Sequence, residues 1–190
     1  MQKYETYKVQ ITGLTAEGTG VARIDGQVVF VPGVIPGELC QIKIDHVGRS
    51  CAYASLVKVE TASAHRVKPA CRYFGSCGGC TFWHMDYVCE LEAKRQRVVD
   101  ALLRIGGVSF PDLQITGSEA MTGYRNKVQF PVQAQNKKAM AGFYKAGSHT
   151  VIHITDCKIQ PACAESVRKA VLSWMEQEKI PAYDEKAHRG

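Results

Sequence analysis

The sequence of 190 residues contains no long run of apolar side chains. Its first fourteen residues, MQKYETYKVQITGL, alternate polar and apolar side chains, so neither a signal peptide nor a transmembrane helix is expected. Internal repeats and low-complexity tracts are also missing. The composition, 45% hydrophobic and 22% charged, is that of an ordinary globular protein and not of a disordered chain. We therefore expect a cytoplasmic protein without membrane contacts, in a compartment that keeps thiols reduced.

Acidic residues are scarce in the middle of the chain. Residues 61–150 carry twelve Lys and Arg against six Asp and Glu, whereas residues 1–60 and 151–190 each carry six of either sign. The whole net charge of +6 therefore lies in the middle segment. This distribution favours a polyanionic partner, most commonly nucleic acid in the cytosol, and a merely solvated basic face is the alternative.

The first sixty residues predict a small β-barrel. Asp25-Gly26 separates two strand-like runs and is a typical hairpin turn. Five short strands in so short a segment favour a barrel of the OB type, an architecture that often but not always binds oligonucleotides. The runs alternate with period two or are rich in β-branched residues, and they span 7–14, 20–26, 27–37, 38–48 and 51–60.

Two amphipathic helices are predicted further along the chain. The first begins at Asp86 as N-cap and ends at Gly106-Gly107, and the second begins at Pro161. Between them lie strand-like runs at 124–134, 138–147 and 149–157, with a turn at Gln135-Asn136. The apolar face of the first helix comprises Tyr87, Leu91, Val98, Leu102 and Ile105, and that of the second comprises Val167, Val171, Trp174 and Met175.

Three of the eight cysteines lie in one short stretch, CRYFGSCGGC. Cys71 precedes the closely spaced pair Cys77 and Cys80, and a reduced compartment argues against disulfides. Three close cysteines with a distant fourth favour an iron–sulfur cluster over zinc, which usually uses two paired knuckles. The glycines among them suit a backbone that wraps closely around a bulky cluster. A zinc site and unligated thiols are the alternatives.

The fourth ligand has to come from the remaining cysteines. Cys157 ends a strand-like run at a turn, where the backbone can present a ligand, and it is preferred for that reason. Cys40 and Cys51 lie in barrel strands and Cys89 lies in the first helix, where thiols are often buried as small hydrophobes. Cys163 is the other candidate.

Several stretches resemble the bacterial 23S ribosomal RNA (uracil-5-)-methyltransferases. They are CRYFGSCGGCTFWHMDYVCELEAKRQRVVDALLRIGG, GYRNKVQFPV, GFYKAGSHTVIHITDCKIQ and YDEKAHRG, while EGTGVARIDGQVVFVPGVIPGE resembles the start of a TRAM domain, an OB-like RNA-binding module. The resemblance implies a SAM-dependent enzyme with a 4Fe–4S cluster. Its four cluster ligands correspond to Cys71, Cys77, Cys80 and Cys157.

Proteins of that family are much longer, and their second half is the methyltransferase domain. We find no glycine-rich loop that follows a strand and opens a helix here, so we expect no catalytic and no SAM-binding residue in this chain. SAM would then bind only in the missing domain, and the chain alone would be inactive. In the family the first helix leans on the catalytic domain, so part of the Leu91, Val98 and Leu102 stripe should be exposed.

The expected fold class is accordingly α+β. A five-stranded OB-like (TRAM) β-barrel is followed by a small iron–sulfur α/β domain, and the C-terminal Rossmann-like methyltransferase domain is absent. The expected organisation is a barrel at 1–60, an iron–sulfur cysteine loop at 61–85, a helix at 86–107 that would pack on the missing catalytic domain, and a central RNA-recognition domain, cut short at its end, at 108–190.

RNA phosphates are expected to contact a basic surface near the barrel, formed by Arg125, Asn126, Lys127 and Lys145. The alternative is that these residues cap sheet edges. Two functions stay open: the N-terminal portion of a methyltransferase acting on 23S ribosomal RNA, with transfer RNA as the second possibility, or an independent RNA-binding iron–sulfur module without catalytic activity. An electron carrier is a weaker third, because it needs neither barrel nor basic segment. We expect a monomer with a structural cluster.

Overall fold

The structure, a computed structural model, describes residues 1–135, 138–185 and 187–189. The chain forms two compact units. Unit 1 consists of Met1–Pro69 and Thr81–Gly117, and unit 2 consists of Ala70–Cys80 and Ser118–Gly190. The cysteine stretch thus belongs to unit 2 although unit 1 flanks it on both sides in sequence. Within the described ranges, no helix combines the length and apolarity that crossing a membrane requires.

Unit 1 is built on a six-stranded sheet with the order β1-β5-β6-β4-β3-β2. All neighbouring strands are antiparallel except β4 and β6, which are parallel. The strands are β1 (Thr6–Gln10), β2 (Gly13–Leu14), β3 (Gly20–Ile24), β4 (Gln27–Val31), β5 (Leu39–Val47) and β6 (Cys51–Thr61).

Alternate residues of these strands enclose one apolar core, because successive side chains of a strand point to opposite faces. Val29 and Val31 of β4 and Ile42 and Ile44 of β5 are 0% exposed. Tyr53 of β6 lies on the opposite face and is 52% exposed. The sheet therefore has one buried face and one face that carries side chains to solvent.

The turn between β3 and β4 is the predicted Asp25-Gly26 turn. Asp25 has a φ of 50° and Gly26 a φ of 82°. Positive values at both central positions are what a tight two-residue hairpin needs, because they match the twist of the flanking strands. This prediction is confirmed.

The expected number of five strands in this unit is wrong. The first predicted run is divided because Ile11 and Thr12 bond outside the strand ladders: the Ile11 N–H donates to the Glu38 carbonyl at 2.9 Å and the Thr12 N–H to the Val21 carbonyl at 2.8 Å. One run therefore supplies both β1, which pairs with β5, and β2, which pairs with β3. The resulting sheet has six strands.

A buried ion pair ties the segment after β6 to the loop before β5. Glu38 is 0% exposed, and its carboxylate accepts from the Arg66 Nε at 2.5 Å and Nη2 at 2.7 Å. The same carboxylate accepts backbone N–H groups of Ile35 at 2.9 Å and Ser63 at 3.3 Å. These bonds satisfy a charge that would otherwise be costly to bury.

Helix α1 (Tyr87–Arg104) begins where predicted, because Asp86 Oδ1 accepts the Cys89 N–H at 2.8 Å. Val98 is 46% exposed, which confirms that part of the apolar stripe reaches the surface. Leu91 is half-buried, since the backbone at Gly117 passes so close that a Cβ there would lie 3.1 Å from the Leu91 side chain. None of the residues of α1 is fully buried.

Unit 2 contains a three-stranded antiparallel sheet with the order β7-β8-β9, formed by Val132–Gln135, Lys138–Tyr144 and Val151–His153. Helix α2 (Ala162–Gln177) packs on β8. Arg168 stabilises the packing of α2 on β8. Its buried guanidinium forms an ion pair with Glu165 at 2.6 Å and donates to the Ala141 carbonyl of β8 at 3.2 Å. The predicted turn at Gln135-Asn136 includes a residue outside the described ranges.

The predicted apolar face of α2 is only partly buried. Met175 is 8% exposed, whereas Val167 is 62% and Trp174 is 54% exposed. The helix is held by one buried arginine and one methionine because the small sheet covers a narrow stripe. The strand predicted at 124–134 is also shorter than expected, since regular pairing begins only at Val132.

Candidate metal centre and nucleic-acid interface

The cysteine loop of unit 2, residues 71–80, is a sequence of tight turns. The Phe74 N–H donates to the Cys71 carbonyl at 3.2 Å, and the Cys77 N–H donates to the Tyr73 carbonyl at 2.8 Å. The Gly79 N–H points at the Cys77 Sγ at 3.4 Å. A backbone amide directed at a cysteine sulfur stabilises the thiolate, as it does around thiolate-bound metals.

The loop is attached to the end of β8. The Gly78 N–H donates to the Tyr144 carbonyl at 3.0 Å, and the Ala146 N–H donates to the Ser76 carbonyl at 3.0 Å. A Cβ at Gly78 would lie 3.3 Å from both the Ala146 Cα and the Tyr144 oxygen. The close approach of the two backbones therefore explains the glycine in the CGGC sequence.

A second set of bonds joins the loop to the segment that carries Cys157. Arg72 Nη2 donates to the Tyr73 hydroxyl at 2.8 Å and to the Thr155 hydroxyl at 2.8 Å. The Thr155 N–H donates to the Tyr73 hydroxyl at 3.3 Å, and bonding from Thr155 lowers the pKa of Tyr73. The two residues that follow Cys71 are thus both hydrogen-bonded to Thr155, two residues before Cys157.

The thiols of Cys71, Cys77 and Cys157 lie within electrostatic reach of one another. Burial raises the pKa of Cys77, and negative charge on Cys157 and Cys71 raises it further, while the Gly79 amide and the Arg125 guanidinium act in the opposite direction. These three cysteines form no disulfide, and Cys80 is half-buried in the same loop. The structure therefore brings three of the four candidate ligands to one part of unit 2.

The types of donor group in this region, though not their spacing, suit a thiolate-bound cluster. Two segments of one unit present cysteine side chains, a backbone amide faces one sulfur, and an arginine favours its deprotonated form. Across the described ranges, no set of three or more His, Cys, Asp or Glu side chains is arranged so that it could hold a metal ion. Metal binding would reverse the raised pKa of Cys77, because a coordinating thiol is deprotonated.

Two of the four candidate phosphate contacts, Arg125 and Lys145, lie near the cysteine loop. The Arg125 N–H donates to the Ile159 carbonyl at 2.9 Å, and the Arg125 charge acts on Cys77. Lys145 forms an isolated backbone bridge with Cys77. The side chains of Arg125, Asn126, Lys127 and Lys145 are all exposed, and the structure brings the first and last of them to the cysteine loop.

The thiols of Cys40 and Cys89 are not activated as nucleophiles, because their pKa values are raised. Burial, foremost, raises the pKa of Cys40 to about 11. Burial also raises the pKa of Cys89, and the neighbouring Asp86 carboxylate adds to this. A position near a helix start does not depress the Cys89 pKa, because a carboxylate already occupies that helix end.

Sequence reasoning missed an aromatic group on the outer face of the unit 1 sheet. Phe30, Tyr53 and His46 belong to β4, β6 and β5, with ring centroids 5.5 Å apart for the first pair and 6.4 Å apart for Tyr53 and His46. Period-two alternation places Phe30 and Tyr53 on the face away from the core, and a register shift between Ile44 and His46 brings the exposed His46 to the same group. Their proximity depends on the parallel pairing of β4 with β6, which local sequence does not reveal.

Residues 2–57 match the family model of the TRAM domain, so unit 1 contains a TRAM domain. The whole chain is 39% identical, over 190 residues, to an uncharacterised RNA methyltransferase of Clostridium tetani. It is 35% identical, over 191 residues, to an uncharacterised RNA methyltransferase of Synechocystis. In both cases the match covers 100% of this chain and 41% of the relative, so the chain spans 41% of the length of these relatives.

The fold is similar to that of the tRNA (uracil-54, C5)-methyltransferase of Pyrococcus abyssi, solved in complex with S-adenosyl-L-homocysteine. The TM-score is 0.64 at 24% identity, covering 96% of this chain and 40% of that chain. This likeness also corrects the expected fold class, which placed the methyltransferase fold outside the chain.

Proposed function

We propose that this chain is the RNA-binding and iron–sulfur portion of a cytoplasmic, SAM-dependent methyltransferase that modifies carbon 5 of a uridine in 23S ribosomal RNA. The observation that carries the proposal is the match of the entire chain, at 39% and 35% identity, to proteins named RNA methyltransferases. The TRAM domain at residues 2–57 supports an RNA partner. The choice of ribosomal over transfer RNA is supported by the cysteine block quoted above.

Cys71, Cys77, Cys80 and Cys157 are the proposed ligands of a 4Fe–4S cluster. When bound, the cluster supplies a crosslink between the loop 71–80 and the segment at Cys157. The residues around it have their own roles: the Gly79 amide and Arg125 stabilise negative charge on Cys77, and Arg72 holds Thr155 in place. Thiolate ligation needs this stabilisation because burial alone disfavours the charged sulfur.

Arg125, Asn126, Lys127 and Lys145 are the proposed phosphate contacts. Their side chains are exposed, and unit 2 carries twelve Lys and Arg against seven Asp and Glu. Phosphate contacts from such residues orient an RNA without selecting its sequence. The cluster and the phosphate contacts therefore act on the same region, since the crosslink fixes the backbone from which Arg125 and Lys145 project.

The 190-residue chain by itself is proposed to bind RNA, as a monomer, and to transfer no methyl group. Methylation of carbon 5 requires a thiolate that adds to the uracil ring and a proton acceptor. Burial raises the pKa of both Cys40 and Cys89, so neither thiol is activated for this step. Methyl transfer is assigned to the whole enzyme.

Deletion of the gene in its host tests the function directly. We expect the loss of one 5-methyluridine from 23S ribosomal RNA, detected by mass spectrometry of nuclease fragments, and its recovery when the gene is restored. Restoration with Cys77→Ala should fail, whereas restoration with the exposed Cys163→Ala should succeed. Loss of the modified base from transfer RNA would contradict the substrate, and no loss from either RNA would favour a module without catalytic activity.

A further inference from the structure

The outer face of the TRAM sheet presents one tyrosine at the centre of an aromatic group. Tyr53 pairs with Phe30 of the parallel strand β4 on one side and with His46 of β5 on the other. Tyr53 is 52% exposed, and the core is filled by side chains of the opposite face. Exposed aromatic rings grouped in this way are stacking surfaces for planar ligands, including unpaired nucleobases.

A cleft of about 530 Å³ opens beside these rings. Phe30 and Tyr53 line it together with Thr15 and Thr19 of the turn between β2 and β3. This volume is in the range of small-molecule sites, which hold a ligand by shape and by a few polar groups. The cleft is therefore large enough for a nucleobase.

The β2–β3 turn is fixed by the proximity of Phe82 and by a hydrogen bond from helix α1. Gly18 has a φ of +78° and lies so close to Phe82 that a Cβ would come within 2.6 Å of the ring. Arg97 of α1 donates to the Ala16 carbonyl at 3.2 Å. The wall of the cleft is thus preorganised, which lowers the entropy lost when a ligand binds.

The charged groups in the cleft are acidic. Glu17 and Asp45 line it, and Asp45 accepts the Ser55 hydroxyl at 2.5 Å. Carboxylates repel phosphate, and they accept N–H donors from base edges. Residues 1–60 carry six basic and six acidic residues and so supply no excess positive charge. The chemistry of the cleft suits a neutral ring with N–H donors and not a phosphate group.

We infer that this cleft binds one unpaired nucleobase of the RNA, stacked on Tyr53 with its N–H donors facing Asp45 and Glu17. The inference rests on the proposed function, because RNA is the partner that it assumes. It divides recognition between two places: Arg125 and Lys127 bind phosphates, and the TRAM cleft binds a base. The two contributions differ in their response to salt, which makes them separable.

The test measures binding of the full 190-residue chain to single-stranded oligoribonucleotides of about twelve nucleotides that carry 2-aminopurine at successive positions. Tyr53→Ala should weaken binding about tenfold, leave its salt dependence unchanged and abolish the fluorescence quenching of one 2-aminopurine. Tyr53→Phe should retain binding and quenching, because it keeps the ring. Val57→Ala is the matched control, since Val57 is 54% exposed on the same strand and lies outside the cleft.

Each result decides the inference. If Tyr53→Ala binds like the wild type while Arg125→Ala weakens binding, the inference is overturned and the proposed function stands. If the wild type binds no RNA at all, both are overturned. If sedimentation shows that Tyr53→Ala dissociates a dimer without affecting RNA binding, the face belongs to a second copy of the chain and the inference is again overturned. Thermal midpoints of the variants are measured in parallel, so that unfolding is recognised.

Discussion

Unit 1 and unit 2 differ in how they are held together. Among the residues that the structure describes, unit 1 has thirteen buried hydrophobic side chains and unit 2 has six. Unit 1 is almost neutral, with twelve basic and eleven acidic residues, whereas unit 2 has twelve and seven. A unit with few buried apolar side chains is the kind that depends on a metal or a crosslink for stability.

The contrast extends to RNA recognition. Unit 1 offers an aromatic cleft with carboxylates, and unit 2 offers exposed basic side chains around a thiol-bearing loop. The first arrangement suits a base and the second suits the phosphate backbone. In the proposed account, the stable unit therefore supplies selectivity, and the unit stabilised by the cluster supplies electrostatic attraction.

The largest expected effect separates the two units by their dependence on the cluster. Cys157→Ala should lose the cluster and unfold unit 2, because the crosslink between the loop 71–80 and the segment at 157 is removed. Hydrogen exchange should then show fast exchange in β8 and α2 and unchanged protection in β3 to β6. Cys163→Ala is the control. Equal loss of protection in both units would contradict their independence.

A smaller effect concerns the buried ion pair of unit 1. Arg66→Ala leaves the Glu38 carboxylate buried without its charged partner and should cost about 3 kcal/mol in the free energy of unfolding. Lys58→Ala, which removes an exposed ion pair with Glu60, should change it by less than about 1 kcal/mol. Denaturant unfolding of both variants measures the difference, and similar losses would contradict the role of burial.

The same pair gives unit 1 a defined response to acid. Burial acts to raise the pKa of Glu38, but bonds from Arg66, Ile35 and Ser63 outweigh it and hold the pKa below its ordinary value of 4.5. A depressed carboxyl pKa adds stability that is present above pH 4.5 and is lost as the pH falls through the lower, folded-state pKa. Glu38→Gln should remove this part of the acid transition, and an unchanged pH profile would contradict the assignment.

Next in size is the salt dependence of RNA binding. Arg125→Ala and Lys127→Ala should each weaken binding for all sequences and reduce the slope of log affinity against log salt by about one unit. Arg23→Ala, which changes a basic residue of the neutral unit, should leave the slope unchanged. A double Arg125 and Lys127 variant with the wild-type slope would rule out phosphate contacts in unit 2.

The smallest effect is local to one helix. Asp86→Ala removes the cap on the Cys89 N–H and should lower the stability of unit 1 by about 1 kcal/mol without affecting cluster content. Asp86→Ser retains a capping oxygen and should recover most of the loss. Iron analysis and thermal unfolding of the two variants check both statements, and loss of iron from either would contradict the separation of the units.

Features that depend on neighbouring residues were predictable from sequence. Asp86 caps its helix through a bond to Cys89, three residues away, and Asp25-Gly26 turns the chain through its own backbone angles. The split of the first strand was not predictable, because it depends on a bond from Ile11 to the distant Glu38 carbonyl. A helix cap and a hairpin turn depend on residues that are close in sequence, so the sequence predicts them. The point at which a strand is divided depends on a residue that is distant in sequence, and local patterns do not predict it.

The candidate metal site was also only partly predictable from local sequence. Spacing marks Cys71, Cys77 and Cys80 as a group, but only the fold shows that Arg72 and Thr155 join their loop to the segment at Cys157. Likewise, no local pattern places Phe30 beside Tyr53, because a parallel pairing joins strands that are separated in sequence. The predicted apolar face of α2 was wrong at Val167 for a similar reason, since the width of the covering sheet decides burial.

The central claim is that Cys71, Cys77, Cys80 and Cys157 bind one iron–sulfur cluster. Anaerobic purification of the chain, followed by iron and acid-labile sulfide analysis with visible and EPR spectra, tests it most directly. The account predicts four irons and four sulfides per chain of wild type and Cys163→Ala, and loss of both from Cys157→Ala. Wild-type protein that holds zinc or no metal, or Cys157→Ala protein that keeps its full iron content, would contradict it.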